Sequence, residues 1–333
     1  MKTLVFNKYG GQDQLAFADL PRPAPKPDEI LVQVRAAGLN PVDNKIRSGK
    51  LRPLLRLQLP ATLGSDLAGV VVAAGDRVTR FKPGDAVFAT IDELHMGALA
   101  EFAVVAETAA ALKPAHLDFV QAASVPMVAL TAWQALTERV RLAPGQKVFI
   151  PAGAGGIGTC AIQLAKLLGA TVATTTSAGN VDLVRSLGAD EVIDYHKQNF
   201  ADVLRDYDVV LDTLGGDSLA RSFRILRRGG IVVSIVGPPD AAFGRERGMH
   251  ALMVFALWLL SYTTHRRAKT RGIEYSFLLM NPDGSQLAEL GNLLEARSIR
   301  PVIDKVFPFD QAKEALAYLE TGRAKGKVVV QMA

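Results

Sequence analysis

From Lys147 to Gly237 the chain alternates short apolar runs with longer stretches whose apolar residues recur every third or fourth position. The runs KVFI (147–150), TVATTT (171–176), EVID (191–194), YDVVLDT (207–213) and GIVVSIVG (230–237) are brief and rich in β-branched residues. They predict strands covered on both faces. Between the first two, IGTCAIQLAKLLG places Ile157, Ala161, Leu164, Ala165 and Leu168 on one helical face. A preceding helix is predicted over VPMVALTAWQALTERV, so the rhythm changes near Ser124. Short buried strands separated by helices imply a doubly wound α/β nucleotide fold.

The first 120 or so residues follow another pattern. KTLVFN and EILVQVRAAGL are strand-like and separated by PRPAPKPD, which cannot lie inside a sheet. LAGVVVAAG, DAVFATI and LAEFAVVAE follow, with a KPGD turn before the second of them. The reading is a compact barrel-like or sandwich-like β module. After residue 272 a strand-like IEYSFLLM leads into the helix PDGSQLAELGNLLEA. Strand PVIDKVF, helix DQAKEALAYLE and strand GKVVVQM finish the chain.

Composition narrows the function classes. A length of 333 residues suits two domains. The net charge of +5, from 38 basic and 33 acidic residues, favours anionic small ligands and is too weak to argue for nucleic acid. A single cysteine excludes an intrachain disulfide framework and a zinc site built on several thiolates, and it fits a reducing, cytoplasmic setting. The N-terminus lacks the order of a signal peptide. The most apolar window, ALMVFALWLLSY (251–262), falls short of a spanning helix and runs into HRRAKTR. It reads as a buried or interface helix, or as a helix lying on a membrane surface, without stable insertion.

In PAGAGGIGTC, Gly153, Gly155 and Gly158 fit G-x-G-x-x-G between a strand and a helix. The first glycine allows the tight turn, the second lets backbone approach a pyrophosphate, and the third lets helix and strand pack closely. With Gly156 and Ile157 they form the predicted dinucleotide site; the alternative is a glycine turn with no ligand. The second strand ends TTTSAGN, with no acid for a ribose 2′-hydroxyl before Asp182. Ser177 and Asn180 can donate to a 2′-phosphate instead, and Tyr195 lies beside them, so NADP(H) is expected. Ser177 as a plain helix cap is compatible with that role. Leu214 and Val236, past the next two strands, complete the cofactor set.

No metal is expected. Cys160 lies on the phosphate-binding helix, and His95, His116, His196, His250 and His265 are scattered without ligand spacing. The expected substrate accepts hydride without such help: a quinone or a conjugated carbonyl compound, whose charge a few hydrogen bonds can carry.

The motifs GLNPVDNKIRSG (38–49), LGSDLAGVV (63–71), FKPGDAVF (81–88), GALAEFAVV (97–105), LTAWQAL (130–136), AGAGGIG (152–158), SLGADEVIDY (186–195), LDTLGG (211–216) and GRAKGKVVV (322–330) occur in this order. Together they resemble the zinc-independent quinone oxidoreductase branch of the medium-chain dehydrogenase/reductase superfamily. The resemblance implies a GroES-like catalytic domain from residues 1–123, completed by a C-terminal return over 281–333. A Rossmann domain over 124–280 lies between them in sequence, with the active site in the cleft and a homodimer through the Rossmann edge strand, here IEYSFLLM.

By the same resemblance Asn40 faces the nicotinamide ribose or the substrate carbonyl, although Asn-Pro also starts turns and Asp43 can cap the helix that follows. Lys45 is either a carbonyl-oxygen holder or proton relay, or a solvated lysine. Thr131 is expected near the nicotinamide amide, or bonded to its own helix. Lys327 is expected either at a cofactor phosphate or as an exposed strand-end charge. Zinc-binding members carry cysteine, and histidine–glutamate, where this chain has Asn40 and Ser65–Asp66. The segment 238–272 looks longer and more basic than in the simplest quinone reductases. The activity implied is NADPH-dependent reduction of quinones, enones or enals. The alternatives are an enoyl-thioester reductase and an NADPH-binding structural or RNA-binding protein.

Overall fold

The computed structural model describes residues 1–52, 57–92 and 95–332. The chain divides into two compact units, Met1–Leu130 with Asn281–Ala333, and Thr131–Met280. The division falls inside a helix that begins at Pro126, a few residues beyond the change of rhythm at Ser124.

The first unit opens with strands β1 (Lys2–Phe6), β2 (Leu15–Asp19) and β3 (Glu29–Leu39), then helix α1 (Pro41–Arg47). Strands β4 (Ala61–Thr62), β5 (Asp66–Ala74), β6 (Ala86–Thr90), β7 (Phe102–Ala106) and β8 (Ala110–Leu112) follow, and then α2 (Phe119–Ala123). Helix α3 (Pro126–Trp133) crosses the division. Strand β2 is absent from the sequence reading because its alternating LAFAD buries only Leu15. The KPGD turn forms as its composition requires. The Asp85 amide donates to the Lys82 carbonyl, and the Asp85 carboxylate accepts from the Lys82 amide at 2.9 Å.

In the second unit β9 (Lys147–Ile150) is followed by α4 (Gly156–Leu167), β10 (Thr171–Thr176), α5 (Val181–Ser186) and β11 (Glu191–Asp194). Then come α6 (Phe200–Val203), β12 (Tyr207–Asp212), α7 (Gly216–Ser222), β13 (Leu226–Ser234), α8 (Ala241–Glu246), α9 (Ala251–Thr270) and β14 (Glu274–Phe277). The six strands form one parallel sheet in the order β11-β10-β9-β12-β13-β14. The order reverses between β9 and β12, the switch point where such sheets bind ligands. Strand β13 starts before the predicted Gly230, because Leu226 pairs with Tyr207 across a register irregularity. Phe149, Phe200 and Tyr207 centre the core, the two phenylalanine rings 4.6 Å apart.

The chain then returns to the first unit through α10 (Gly284–Glu295), β15 (Ile303–Pro308), α11 (Ala312–Glu320) and β16 (Lys327–Gln331). The larger sheet of that unit runs β15-β16-β3-β5-β6-β8, and β7 also pairs with β3. One edge of β3 thus takes β7 along Glu29–Gln33 and β16 along Ala36–Leu39, while the other takes β5. Paired along both edges, β3 is buried at Ile30–Val32, Val34 and Ala36–Leu39. Ile30, Leu39, Leu67 and Val328 are buried within this core, each such side chain contributing roughly 1.5–3 kcal/mol.

Candidate functional site

The turns expected to hold a dinucleotide follow β9 to β13, and in a parallel sheet all such turns leave at one edge. Gly153–Gly158, Ser177, Asn180, Tyr195, Leu214 and Val236 therefore share the carboxyl edge of the second unit. The glycines differ in what surrounds them. A Cβ on Gly153 would lie 2.1 Å from the Thr174 hydroxyl oxygen, and one on Gly158 would lie 2.5 Å from the Ala152 carbonyl. Those two glycines are required by the packing of β9, β10 and α4. A Cβ on Gly155 would meet only the Ala152 carbonyl, at 3.3 Å. The protein interior fills the space beside the first and third glycines and leaves the second open.

Gly155 is the extended N-cap of α4 and, having no side chain, offers no capping oxygen. The amides of the first turn, Gly156–Gly158, lack an intrahelical acceptor by the geometry of a helix start, and the helix dipole adds positive potential there. Gly155, Gly156 and Ile157 are partly exposed, whereas Gly158 is buried. The turn fits a pyrophosphate: open backbone donors, no side chain in the way, and no acid.

At the end of β10 the Asn180 amide donates to the Ser177 hydroxyl oxygen at 3.2 Å. Ser177 accepts there, which leaves its own hydrogen to donate outward. Tyr195 is 57% exposed, and its ring packs on His196. Leu214 is exposed after β12, on the other side of β10 and β9 from Tyr195, and a Cβ on Gly215 would lie 3.2 Å from the Val236 side chain. Cys160, on α4, is pushed by burial up to about 12, so its thiol stays protonated and unreactive.

A second cluster forms in the first unit by strand register. Val328 lies opposite Leu39, and Asp66 lies opposite Gly38, so both flanking strands bring a charged residue beside Asn40. The Lys327 ammonium donates to the Asn40 amide oxygen at 2.5 Å and to the Asp66 carboxylate at 3.0 Å. The Asn40 amide nitrogen donates to the same Asp66 oxygen at 3.0 Å, and the other Asp66 oxygen accepts from the Met127 amide. Asn40, Asp66 and Lys327 are all buried. The tail lysine is thus buried with internal partners, not solvated as an exposed strand-end charge, because the pairing of β16 with β3 aims it inward. Asn40, expected to face substrate, has both ends of its amide used inside.

Asp43 adjoins this knot. Its carboxylate accepts the Asn40 amide at 2.7 Å and closes a capping box on α1, but its second oxygen is buried without a partner among the described residues. Burial pushes the carboxyl up to about 7; the Asn40 amide and Lys327 pull it down, and Asp66 pushes it further up. The physical reason is simple. Lys327 already neutralises Asp66, so a third buried charge would have no counterpart.

Lys45 stands on the exposed face of α1. Thr131 is buried in α3, where the second unit begins. Just beyond it, Gln134–Arg139 opens into a wider π-type turn. Among the described residues no group of three or more histidine, cysteine, aspartate or glutamate side chains could hold a metal ion.

Comparison with known proteins places this geometry. A family model described as an alcohol dehydrogenase GroES-like domain matches residues 26–115, and one described as a zinc-binding dehydrogenase matches 187–330. The chain is 37% identical to the chloroplastic NADPH-dependent alkenal/one oxidoreductase of Arabidopsis thaliana, over 99% of this chain and 79% of that protein. It matches the structure of the quinone oxidoreductase from Coxiella burnetii with a TM-score of 0.86 and 32% identity, over 100% and 99% of the two chains. The chain belongs to the quinone oxidoreductase branch of the medium-chain dehydrogenase/reductase superfamily. Within that superfamily, the Escherichia coli quinone oxidoreductase was solved with NADPH. Its structure matches with a TM-score of 0.84 and 26% identity, covering 99% of this chain and 100% of that one.

As a medium-chain reductase, the protein carries one group of polar residues that the sequence reading missed. Asp66 stood there only as a departure from the zinc-binding pattern, and Asp43 only as a helix cap. The signal available was the acid itself in an apolar strand, SDLAGVV, which asks for a buried cation.

Proposed function

We propose that this chain is an NADPH-dependent reductase of quinones or α,β-unsaturated carbonyl compounds that works without zinc. The observation that carries the reading is the glycine turn, in which protein atoms crowd the first and third positions and leave the second open. NADPH supplies the hydride when bound. The chain's part is to bind and orient: amides of Gly156–Gly158 hold the pyrophosphate, and Ser177 with Asn180 donates to the 2′-phosphate. The names of the Arabidopsis and Coxiella relatives, and NADPH in the Escherichia coli structure, support the substrate class and cofactor.

On the first unit, Lys45 Nζ is the group we assign to the carbonyl oxygen and the proton, since it is exposed and has no partner among the described residues. Asn40 and Lys327 act as positioning residues that fix the end of β3 and the start of α1. The zinc reading fits poorly. Asn40 and Asp66 stand where zinc-binding members carry ligands, and an ammonium already occupies their oxygens. A homodimer through β14, the end strand of the six-stranded sheet, and a cytoplasmic setting belong to the same reading.

The test is direct. Fluorescence titration should give tight NADPH and weak NADH binding, and NADPH should be consumed with quinones or enals after treatment with a chelator. Lys45→Ala should lower kcat about tenfold with NADPH affinity unchanged. Absence of NADPH binding, or binding without turnover on any acceptor, overturns the proposal.

A further inference from the structure

Helix α9 spans Ala251–Thr270 and anchors to its unit by a narrow stripe, with Leu257, Ser261 and Ala268 buried. The rest of its first three turns is apolar and open. Leu252, Phe255, Leu259 and Leu260 are 74%, 57%, 54% and 58% exposed. Isolated exposed leucines are ordinary, but a contiguous group on one helix marks a surface that something covers.

The order of residue types along the axis indicates what covers it. The apolar residues run from Leu252 to Leu260. Trp258 and Tyr262, half-exposed, stand among and just beyond the last of them, with Trp258 packed between Phe255 and Tyr262 at ring distances of 5.7 and 5.4 Å. Then come Arg266, Arg267, Lys269 and Arg271, all exposed and in no ion pair among the described residues. No acid occurs between Met249 and Ile273. From Leu252 to Arg267 the helix rises about 22 Å. Along that rise the surface passes from apolar, through a stretch where leucines mix with the polar-edged rings of Trp258 and Tyr262, to cationic. A lipid interface presents matching layers in that sequence: acyl chain, carbonyl and headgroup region, and anionic surface.

We propose that α9 docks the protein on an anionic lipid bilayer, its N-terminal turns dipping into the acyl boundary and its arginines meeting headgroup phosphates. The attachment is peripheral, since no helix among the described residues is long and apolar enough to cross a membrane. The proposal goes beyond the catalytic reading and does not depend on it.

The test uses the full chain and vesicles of phosphatidylcholine with and without phosphatidylglycerol, in co-sedimentation at low and high salt. Wild type should bind the anionic vesicles at least tenfold more tightly than the neutral ones, and salt should weaken that binding. The doubly substituted F255E/L259E protein should lose binding at least tenfold with its melting temperature unchanged, because both side chains face outward. R266E/R267E should lose the preference for anionic lipid. Failure of wild type to bind either vesicle overturns the proposal, as does full binding by F255E/L259E. Sedimentation equilibrium covers the rival occupant. If wild type ignores vesicles and F255E/L259E turns a dimer into a monomer, a second copy covers α9 and the lipid proposal falls.

Discussion

At the carboxyl edge of the parallel sheet, hydrogen-bonding capacity is left open: the first amides of α4 meet no capping side chain, and Ser177 keeps a hydrogen to give. In the knot of the GroES-like unit it is mostly used up. Lys327, Asn40 and Asp66 satisfy one another out of water, while among the described residues one oxygen of Asp43 and the neighbouring Ser65 and Thr90 hydroxyls are buried without a partner. The first arrangement is suited to receiving a ligand, the second to fixing backbone. Polar residues in a family motif can therefore serve either purpose, and the number of partners already inside the chain separates the two.

The sharpest way to break this contrast is within the glycine turn itself. Gly153→Val should prevent folding, because its Cβ would overlap a Thr174 hydroxyl that already donates to the Ile150 carbonyl at 2.6 Å. Gly155→Ala should fold normally and lose NADPH affinity by about 100-fold, since only ligand approach is blocked. Circular dichroism with fluorescence titration separates the outcomes; equal folding defects in both variants would end the distinction.

Next comes the knot. Lys327→Met leaves Asp66 buried without its cation and should cost about 3–5 kcal/mol in urea unfolding. Adding Asp66→Asn should recover most of the loss. If K327M is as stable as wild type, the buried pair does not organise the strands.

Asp43 gives a pH signature. The folded protein keeps its proton to about pH 7, whereas the unfolded chain releases it near 3.8. Between those values the unfolded state binds fewer protons, so stability from this group falls as pH rises, by as much as about 4 kcal/mol, and then levels above 7. Asp43→Asn should gain on wild type steadily from pH 4 to pH 7. Parallel stability curves for the two proteins would refute the assignment.

The smallest effect is expected at the end of β10. Ser177→Ala should weaken NADPH by about tenfold, one charge-assisted hydrogen bond, and leave NADH unchanged. Equal losses for both cofactors would remove Ser177 from the 2′-phosphate.

The two regions also differ in how far they could be read in advance. The glycine turn is local: strand, turn and helix follow within some twenty residues, and each glycine's role comes from backbone geometry that the neighbouring sequence sets. Strands β9 to β12 were legible for the same reason, as short apolar runs closed off by helices. The knot joins residues 26 and 261 positions apart through the pairing of β16 and β5 with β3. No periodicity encodes a register between distant strands, so Lys327 read equally well as a phosphate ligand or a solvated charge. Strand β2 was missed for a related reason: its partner β1, not its own composition, makes it a strand.

The placement of β16 has a consequence for biosynthesis. The counter-ion of Asp66 is translated 261 residues after it, with a complete nucleotide-binding unit made in between. Until it emerges from the ribosome, Ala36–Leu39 present a bare strand edge and an uncompensated carboxylate sits beside them. The N-terminal module therefore matures only after the nucleotide-binding unit has been made, and a nonsense codon upstream of Lys327 yields a substrate for quality control instead of a shortened enzyme.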